Sequence, residues 1–147
     1  MFLKQRNRRL RKSSAIRELV QENRLHPSDL VAPLFVMNGQ NKKEEISSMP
    51  GYYRYSIDLL VEEAKENFRL GIKAVLLFVK VEQYLKDNTG KEAINPNGLM
   101  QTAIKLLKTE LPDLYVMSDI ALDPYSEFGH DGIVNNHEIL NDQTVKV

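Results

Sequence analysis

Hydrophobic and polar positions alternate in blocks along this chain, and the blocks predict elements. Residues 13–22 carry Ala15, Ile16, Leu19 and Val20 at helical spacing behind Ser13 and Ser14 as caps, which predicts a short amphipathic helix. His26-Pro27 ends it, because the residue before proline avoids helical backbone. Residues 30–37 (LVAPLFVM) form a continuous apolar run, the pattern of a strand buried on both faces. Pro33 removes a ladder donor and pushes that strand toward an edge or a sheet end. Residues 38–51 read as a polar loop. Ile57, Leu60, Val61, Ala64 and Phe68 then predict a helix over 56–70, with Ser56 as cap and Gly71 as terminator. Residues 72–79 (IKAVLLFV) predict a second buried strand. Turn signals fill residues 80–97. Residues 99–109 predict a third helix with Leu99, Ala103, Leu106 and Leu107 on one face, and 114–117 a third strand that Asp119 follows. Residues 120–140 show no clean period, and a long irregular loop in a compact domain is often functional. Asn141 or Asp142 looks like a further helix cap.

Strands that alternate with helices imply right-handed crossovers and a parallel sheet. The order gives three βα units, fewer than the eight of a βα barrel. The chain has 147 residues. It therefore reads as a small open α/β sheet or the front part of a larger protein, and an ending inside a helix start favours the second.

Composition narrows the chemistry. Cysteine is absent, which removes disulfides, thiolate metal sites and a cysteine nucleophile. The apolar runs are too short to span a bilayer, and charge follows Met1–Leu3 at once, so a cytoplasmic address is expected, with no membrane partner. The formal net charge is zero, yet residues 1–12 hold six basic side chains and no acid. Such an arm suits an acidic protein surface, including that of another copy of the chain. Nucleic acid is the weaker reading, because no recognition motif or interleaved aromatic accompanies the arm.

No phosphate-loop, dinucleotide or zinc-protease motif occurs. The informative stretch is residues 118–134, SDIALDPYSEFGHDGIV. Asp119 ends an apolar strand, and Asp123 and Asp131 follow at spacings of four and eight. Carboxylates at the C-terminal end of a parallel strand face the ligand crevice of α/β folds, and oxygen donors suit a hard cation such as magnesium. The competing reading is turn chemistry at Asp123-Pro124 and Gly129–Gly132. His130 is an acid/base or ligand candidate, though a lone loop histidine is more often simply surface-exposed, and His26 and His137 are weaker ones.

Several segments together resemble the porphobilinogen synthase family, also called 5-aminolevulinate dehydratase. They are the arm RNRRLR, then LVAPLFV, ISSMPGYYRYS, LLVEEAKE, NPNGL, SDIALDPYSEFGHDGIV and EILNDQTV, running from about Arg6 to Val147. The resemblance implies the N-terminal part of a TIM (β/α)8 barrel: an arm over residues 1–29 and the first three βα units over 30–147. It implies condensation of two 5-aminolevulinate molecules to porphobilinogen in tetrapyrrole and haem biosynthesis, and a homo-octamer joined through the arm. Asp119 matches the family's active-site aspartate. Zinc-using members carry three cysteines at the positions of Ala121, Asp123 and Asp131, so the resemblance is to the aspartate-type branch associated with magnesium, with Asp123 and Asp131 as metal candidates and active-site zinc disfavoured. The family's two Schiff-base lysines and its carboxylate-holding cations fall beyond Val147, and Lys73, Lys80 and Lys91 read as surface residues. The 147 residues alone are therefore expected to be inactive, and a non-catalytic fragment binding full-length subunits is the alternative.

Overall fold

A computed structural model describes residues 8–147; the start of the basic arm, with Lys4 and Arg6, lies outside the described residues. The first helix, α1 (Ser14–Leu19), is shorter than its apolar spacing suggests, and Ser13 Oγ accepts the Ile16 N–H at 3.3 Å as its cap. His26 is also a cap: its ring nitrogen accepts from Ser28 N–H while Asp29 accepts the His26 N–H.

Strands β1 (Val31–Met37), β4 (Ala74–Lys80) and β5 (Tyr115–Ser118) pair in parallel. Helix α2 (Ile57–Arg69) joins the first two, and α3 (Leu99–Glu110) joins the second pair. The alternation of periods thus gives the expected βαβαβ order. The polar segment expected as a loop over residues 38–51 contains one strand, and a second follows it before α2. β2 (Lys43–Glu45) and β3 (Tyr53–Tyr55) form an antiparallel hairpin, and β3 adds to β1 in parallel, so the sheet order is β2-β3-β1-β4-β5. All three β2 residues are exposed, which is why no apolar alternation marks it. The hairpin is held by cross-strand chemistry: Glu44 lies opposite Arg54 and accepts from its guanidinium at 2.9 Å.

β1 is therefore an interior strand despite Pro33. Its partner β3 meets it only at Phe35 and Val36, so the proline sits on a stretch that is open on that side, where a missing donor is tolerated. β1 is also not buried on both faces. Leu34 and Val36 are buried and Val31 and Pro33 are exposed. The buried face meets the helices: Leu34, Val36, Val75 and Leu77 pack against Leu60, Val61 and Ala64 of α2 and Met100, Ala103 and Leu107 of α3. The opposite face carries Phe35 and Phe78, whose rings stack at 5.1 Å between centroids.

Ser56 occupies the N-cap position of α2 but spends its hydroxyl elsewhere, accepting from Lys42 N–H and donating to the Lys42 carbonyl, which ties the hairpin to the helix start. Gly71 ends α2 with φ +96°, and a Cβ there would approach Pro27 at 3.1 Å, so both the backbone and the packing favour glycine. Helix α4 (Asn141–Thr144) begins one residue earlier than an Asn141 cap would place it, with Leu140 at the N-cap.

Leu77 is fully buried between both helices and the neighbouring strands. Leu77→Ala is expected to destabilise the intact protein by about 2–5 kcal/mol, through lost transfer energy and the cavity left behind. Urea denaturation with unchanged slope measures it.

Candidate functional site

Strand register builds the site. Leu77 pairs with Ser118, and Asp119 continues the ladder by donating its N–H to the Leu77 carbonyl at 3.1 Å. The pleat then puts Asp119 on the same face as Phe78. The pairings of Phe35 with Arg54 and with Phe78, and of Met37 with Lys80, bring those side chains to the same end of the sheet. The result is a cavity of about 280 Å³ at the C-terminal strand ends, lined among others by Phe35, Phe78, Arg54, Lys80, Asp119 and Asp123. Lys86, Met100 and Tyr125 complete its wall. Ligands of parallel α/β sheets bind at this end.

Charge divides the cavity into two poles. On one side stand Asp119 and Asp123. Burial, then repulsion from Asp131 and Asp119, pushes the Asp123 carboxyl above its usual range, with Lys86 opposing. Burial, then the carboxylates of Glu92 and Asp119, pushes the Tyr125 phenol up as well, so it stays protonated. On the other side Glu44 joins two cations, accepting from Arg54 at 2.9 Å and from Lys80 Nζ at 3.0 Å. Its bond to Lys80, and then the charge of Arg54, holds the Glu44 carboxyl below the ordinary range.

Residues 120–140 are more ordered than their sequence suggests. Asp123–Tyr125 form a 3-10 turn. Strands β6 (Val134–Asn135) and β7 (Glu138–Ile139) make a hairpin around Asn136 and His137, which have φ +46° and +67°. Two adjacent positive φ values are those of a tight hairpin turn. His137 is thus a turn residue. His130 is exposed, next to Gly129 in left-handed backbone.

Two clasps hold this loop. Asp131 Oδ1 accepts the N–H groups of Leu122 at 2.7 Å and Asp123 at 2.9 Å, closing the loop over the carboxylates. Asn88 pairs with Val134 like a strand residue, donating to its carbonyl and accepting its N–H, both at 2.8 Å. The main chain of Asp87 bonds Tyr125 and Glu127 beside it. Asp87 itself caps its turn through Thr89 and pairs with Lys91.

The three candidate aspartates therefore lie on one loop, with Asp119 and Asp123 in the cavity wall and Asp131 behind as a backbone acceptor. Among the described residues no group of three or more His, Asp or Glu side chains is arranged to hold a metal ion. Lys73 lies over the Phe68 ring and Lys91 pairs with Asp87, but Lys80 lines the cavity rather than plain surface. Arg54, Lys80, Lys86 and the aromatic pair were not evident in the sequence. Their convergence depends on register across separate strands, which no local spacing encodes.

Parallel strands joined by helices that pack on one face of the sheet, and a charged cavity at the C-terminal strand ends, define an α/β fold built of βα units. The comparisons specify the family. Residues 4–147 match the model of the delta-aminolevulinic acid dehydratase family. The chain is 47% identical over 147 residues to the delta-aminolevulinic acid dehydratase of Chlamydia pneumoniae, covering 100% of this chain and 44% of that protein. It is 50% identical over 141 residues to the one from Methanothermus sociabilis, covering 96% and 43%. It superposes with a TM-score of 0.89 and 46% identity on the crystal structure of the Toxoplasma gondii ME49 enzyme in complex with the reaction product porphobilinogen, over 98% of this chain and 41% of that one. The chain belongs to the delta-aminolevulinic acid dehydratase family, and it spans less than half the length of these relatives.

Asn88→Ala removes both bonds to Val134. The Val134 amide is expected to lose about 1–3 kcal/mol of local protection at roughly a kilocalorie per bond, read by hydrogen exchange, while the amides of the core strands keep theirs.

Proposed function

We propose that the intact protein carrying these residues condenses two molecules of 5-aminolevulinate to porphobilinogen with loss of water, a step of tetrapyrrole synthesis. The observation that carries the reading is Asp119, held by the strand ladder on the cavity wall within the stretch SDIALDPYSEFGHDGIV. A product-bound relative with the same fold supports it.

The residues of this chain suit the substrate. A carboxylate at Asp119 stabilises a cationic amine or imine near the reacting ketone, and it does so strongly where water is partly excluded. The stacked Phe35 and Phe78 supply an apolar wall against which a short carbon chain packs. Tyr125 offers a protonated hydroxyl beside Asp123. None of the lysines described here takes the family's Schiff-base role: Lys80 is engaged with Glu44, and its rim position suits charge recognition. The residues assigned to that chemistry by family resemblance lie outside this chain, so turnover belongs to the intact protein.

For a metal, the donor set decides the type. Ala121, Asp123 and Asp131 offer no thiolate, so zinc has no soft ligands here. Asp123 and Asp131 are oxygen donors, and one or two carboxylates completed by waters is the usual way of holding magnesium. Asp131 spends one oxygen on two backbone N–H groups and keeps the other. Asp123 and Asp131 would hold such a hard divalent cation, and the chemistry it would supply there is charge neutralisation and Lewis acidity.

The remaining features fit the same reading. Residues 1–29 serve as an arm: from residue 8 on it is almost wholly exposed, and Leu10, Leu19, Val20 and Leu25 lie uncovered by the rest of the chain. A second copy of the protein is the natural cover, in a homo-octamer. Among the described residues no helix is long and apolar enough to cross a membrane. A cytoplasmic location completes the proposal.

The intact protein is expected to convert 5-aminolevulinate to a pyrrole detectable with an aldehyde reagent. Asp119→Ala should lower kcat by about 100-fold or more without unfolding the protein. No pyrrole from the pure intact protein would overturn the reading. Exhaustive chelation should lower activity and magnesium restore it; rescue by zinc alone, at stoichiometric amounts, would contradict the assignment of Asp123 and Asp131.

A further inference from the structure

Asparagine is followed by glycine twice in the chain, at Asn38-Gly39 and Asn97-Gly98. In such a pair the glycine backbone nitrogen can attack the asparagine side-chain carbonyl. No Cβ shields that nitrogen, and glycine backbone turns readily into the required shape. The two pairs are alike in local chemistry, so the fold decides which of them reacts.

Asn97-Gly98 is locked. Gly98 is buried, takes the N-cap position of α3 and donates its N–H to the Asn95 carbonyl at 2.9 Å. The Asn97 carbonyl accepts the Thr102 hydroxyl at 3.4 Å, and Asn95 Oδ1 accepts the Asn97 N–H at 3.0 Å. The peptide that would have to rotate is thus held on both sides, and freeing it means giving up buried backbone bonds.

Asn38-Gly39 is open. β1 ends at Met37, and residues 38–41 bend outside any helix or strand. Asn38 is half-buried and Gly39 is exposed. Among the described residues neither the Asn38 side-chain amide nor the Gly39 N–H has a hydrogen-bond partner. The bend is pinned downstream, where Asn41 N–H donates to Asp58 at 2.8 Å and Lys42 N–H to Ser56 Oγ at 2.9 Å. Glycine is dictated at position 39: φ is +139°, and a Cβ would come within 2.6 Å of the Lys42 side chain. The bend that needs glycine therefore also sets an unhindered, unpaired nitrogen beside Asn38.

We infer that Asn38 is a site of spontaneous deamidation in the folded protein, while the same chemistry at Asn97 is suppressed by the fold. Hydroxide removes the Gly39 amide proton, the nitrogen bonds to Asn38 Cγ, and the side-chain nitrogen of Asn38 leaves as ammonia. Water then adds to one of the two carbonyls of the cyclic imide and breaks its bond to the nitrogen. One opening gives aspartate, the other isoaspartate, in which the main chain runs through the former side chain. The sum is asparagine plus water to a carboxylic acid plus ammonia, with no oxidant or reductant involved. Either product sets a new carboxylate one residue past the strand that carries Phe35 to the cavity. Isoaspartate also lengthens the main chain by one carbon between Met37 and the pinned Asn41.

The test ages the intact protein in mildly alkaline buffer, once folded and once in urea. Peptide mass mapping follows the exchange of NH2 for OH at each asparagine. An isoaspartyl carboxyl methyltransferase with labelled S-adenosylmethionine reports the isoaspartate. In the folded protein Asn38 should convert roughly 10-fold or more faster than Asn97, because reaction at Asn97 first requires local opening. The Asn38 rate should rise with hydroxide concentration. In urea the two rates should converge, since the local chemistry is the same. Asn38→Gln, which would need a larger ring to react, should lose the methyl label and keep the melting curve of the unmodified protein; Gly39 stays in place because exchanging it strains the bend. Conversion of Asn38 in urea but not in the folded protein would overturn the inference. So would equal rates at Asn38 and Asn97 in the folded protein, or a methyl label that survives Asn38→Gln.

Discussion

Parallel pairing in one fixed register holds β1 against β4 from Val31 opposite Ala74 to Met37 opposite Lys80. The same register continues from β4 to β5 and on to the Asp119 amide. Everything at the cavity depends on it. Side chains alternate along a strand, so a slip of one residue in any pair would exchange the two faces. Leu77 would then leave the helices and Phe78 would leave the cavity. The apolar contacts of Leu34, Val36, Val75 and Leu77 with α2 and α3 are therefore what places the charged groups on the other face. Core packing and site geometry are the two sides of one sheet.

The loops then refine what the strands position. Asp119 needs only the ladder, but Asp123 lies beyond it and relies on the clasp from Asp131. That loop is braced in turn by Asn88 and the Asp87 main chain, both from the segment after β4. Two loops from neighbouring strand ends thus behave as one layer over the cavity. A carboxylate held by backbone N–H bonds and an amide side chain acting as a strand partner are inexpensive ways to fix a loop that has little core of its own.

Much of the architecture was legible because apolar periods are long where helices and strands are buried: α2, α3 and β4 fall within a residue or two of their sequence limits. The β2–β3 hairpin was not legible. Its first strand is Lys-Glu-Glu, and what holds it is a Glu44–Arg54 pair ten residues apart and the Ser56 hydroxyl. The β6–β7 hairpin was missed for a related reason, because Asn136-His137 fills a turn that glycine usually marks. At the site, Asp119 could be found from its place after an apolar strand. Lys80 could not be told from a surface lysine, since its neighbours Glu44 and Arg54 are far away in sequence and meet it only through the sheet.

The most direct measurement is a crystal structure of the intact protein with 5-aminolevulinate bound. The account predicts density in the cavity beside Phe35 and Phe78, with the nitrogen end within hydrogen-bonding distance of Asp119. A ligand held elsewhere, with no contact to Asp119 or to the strand-end cavity, would contradict it.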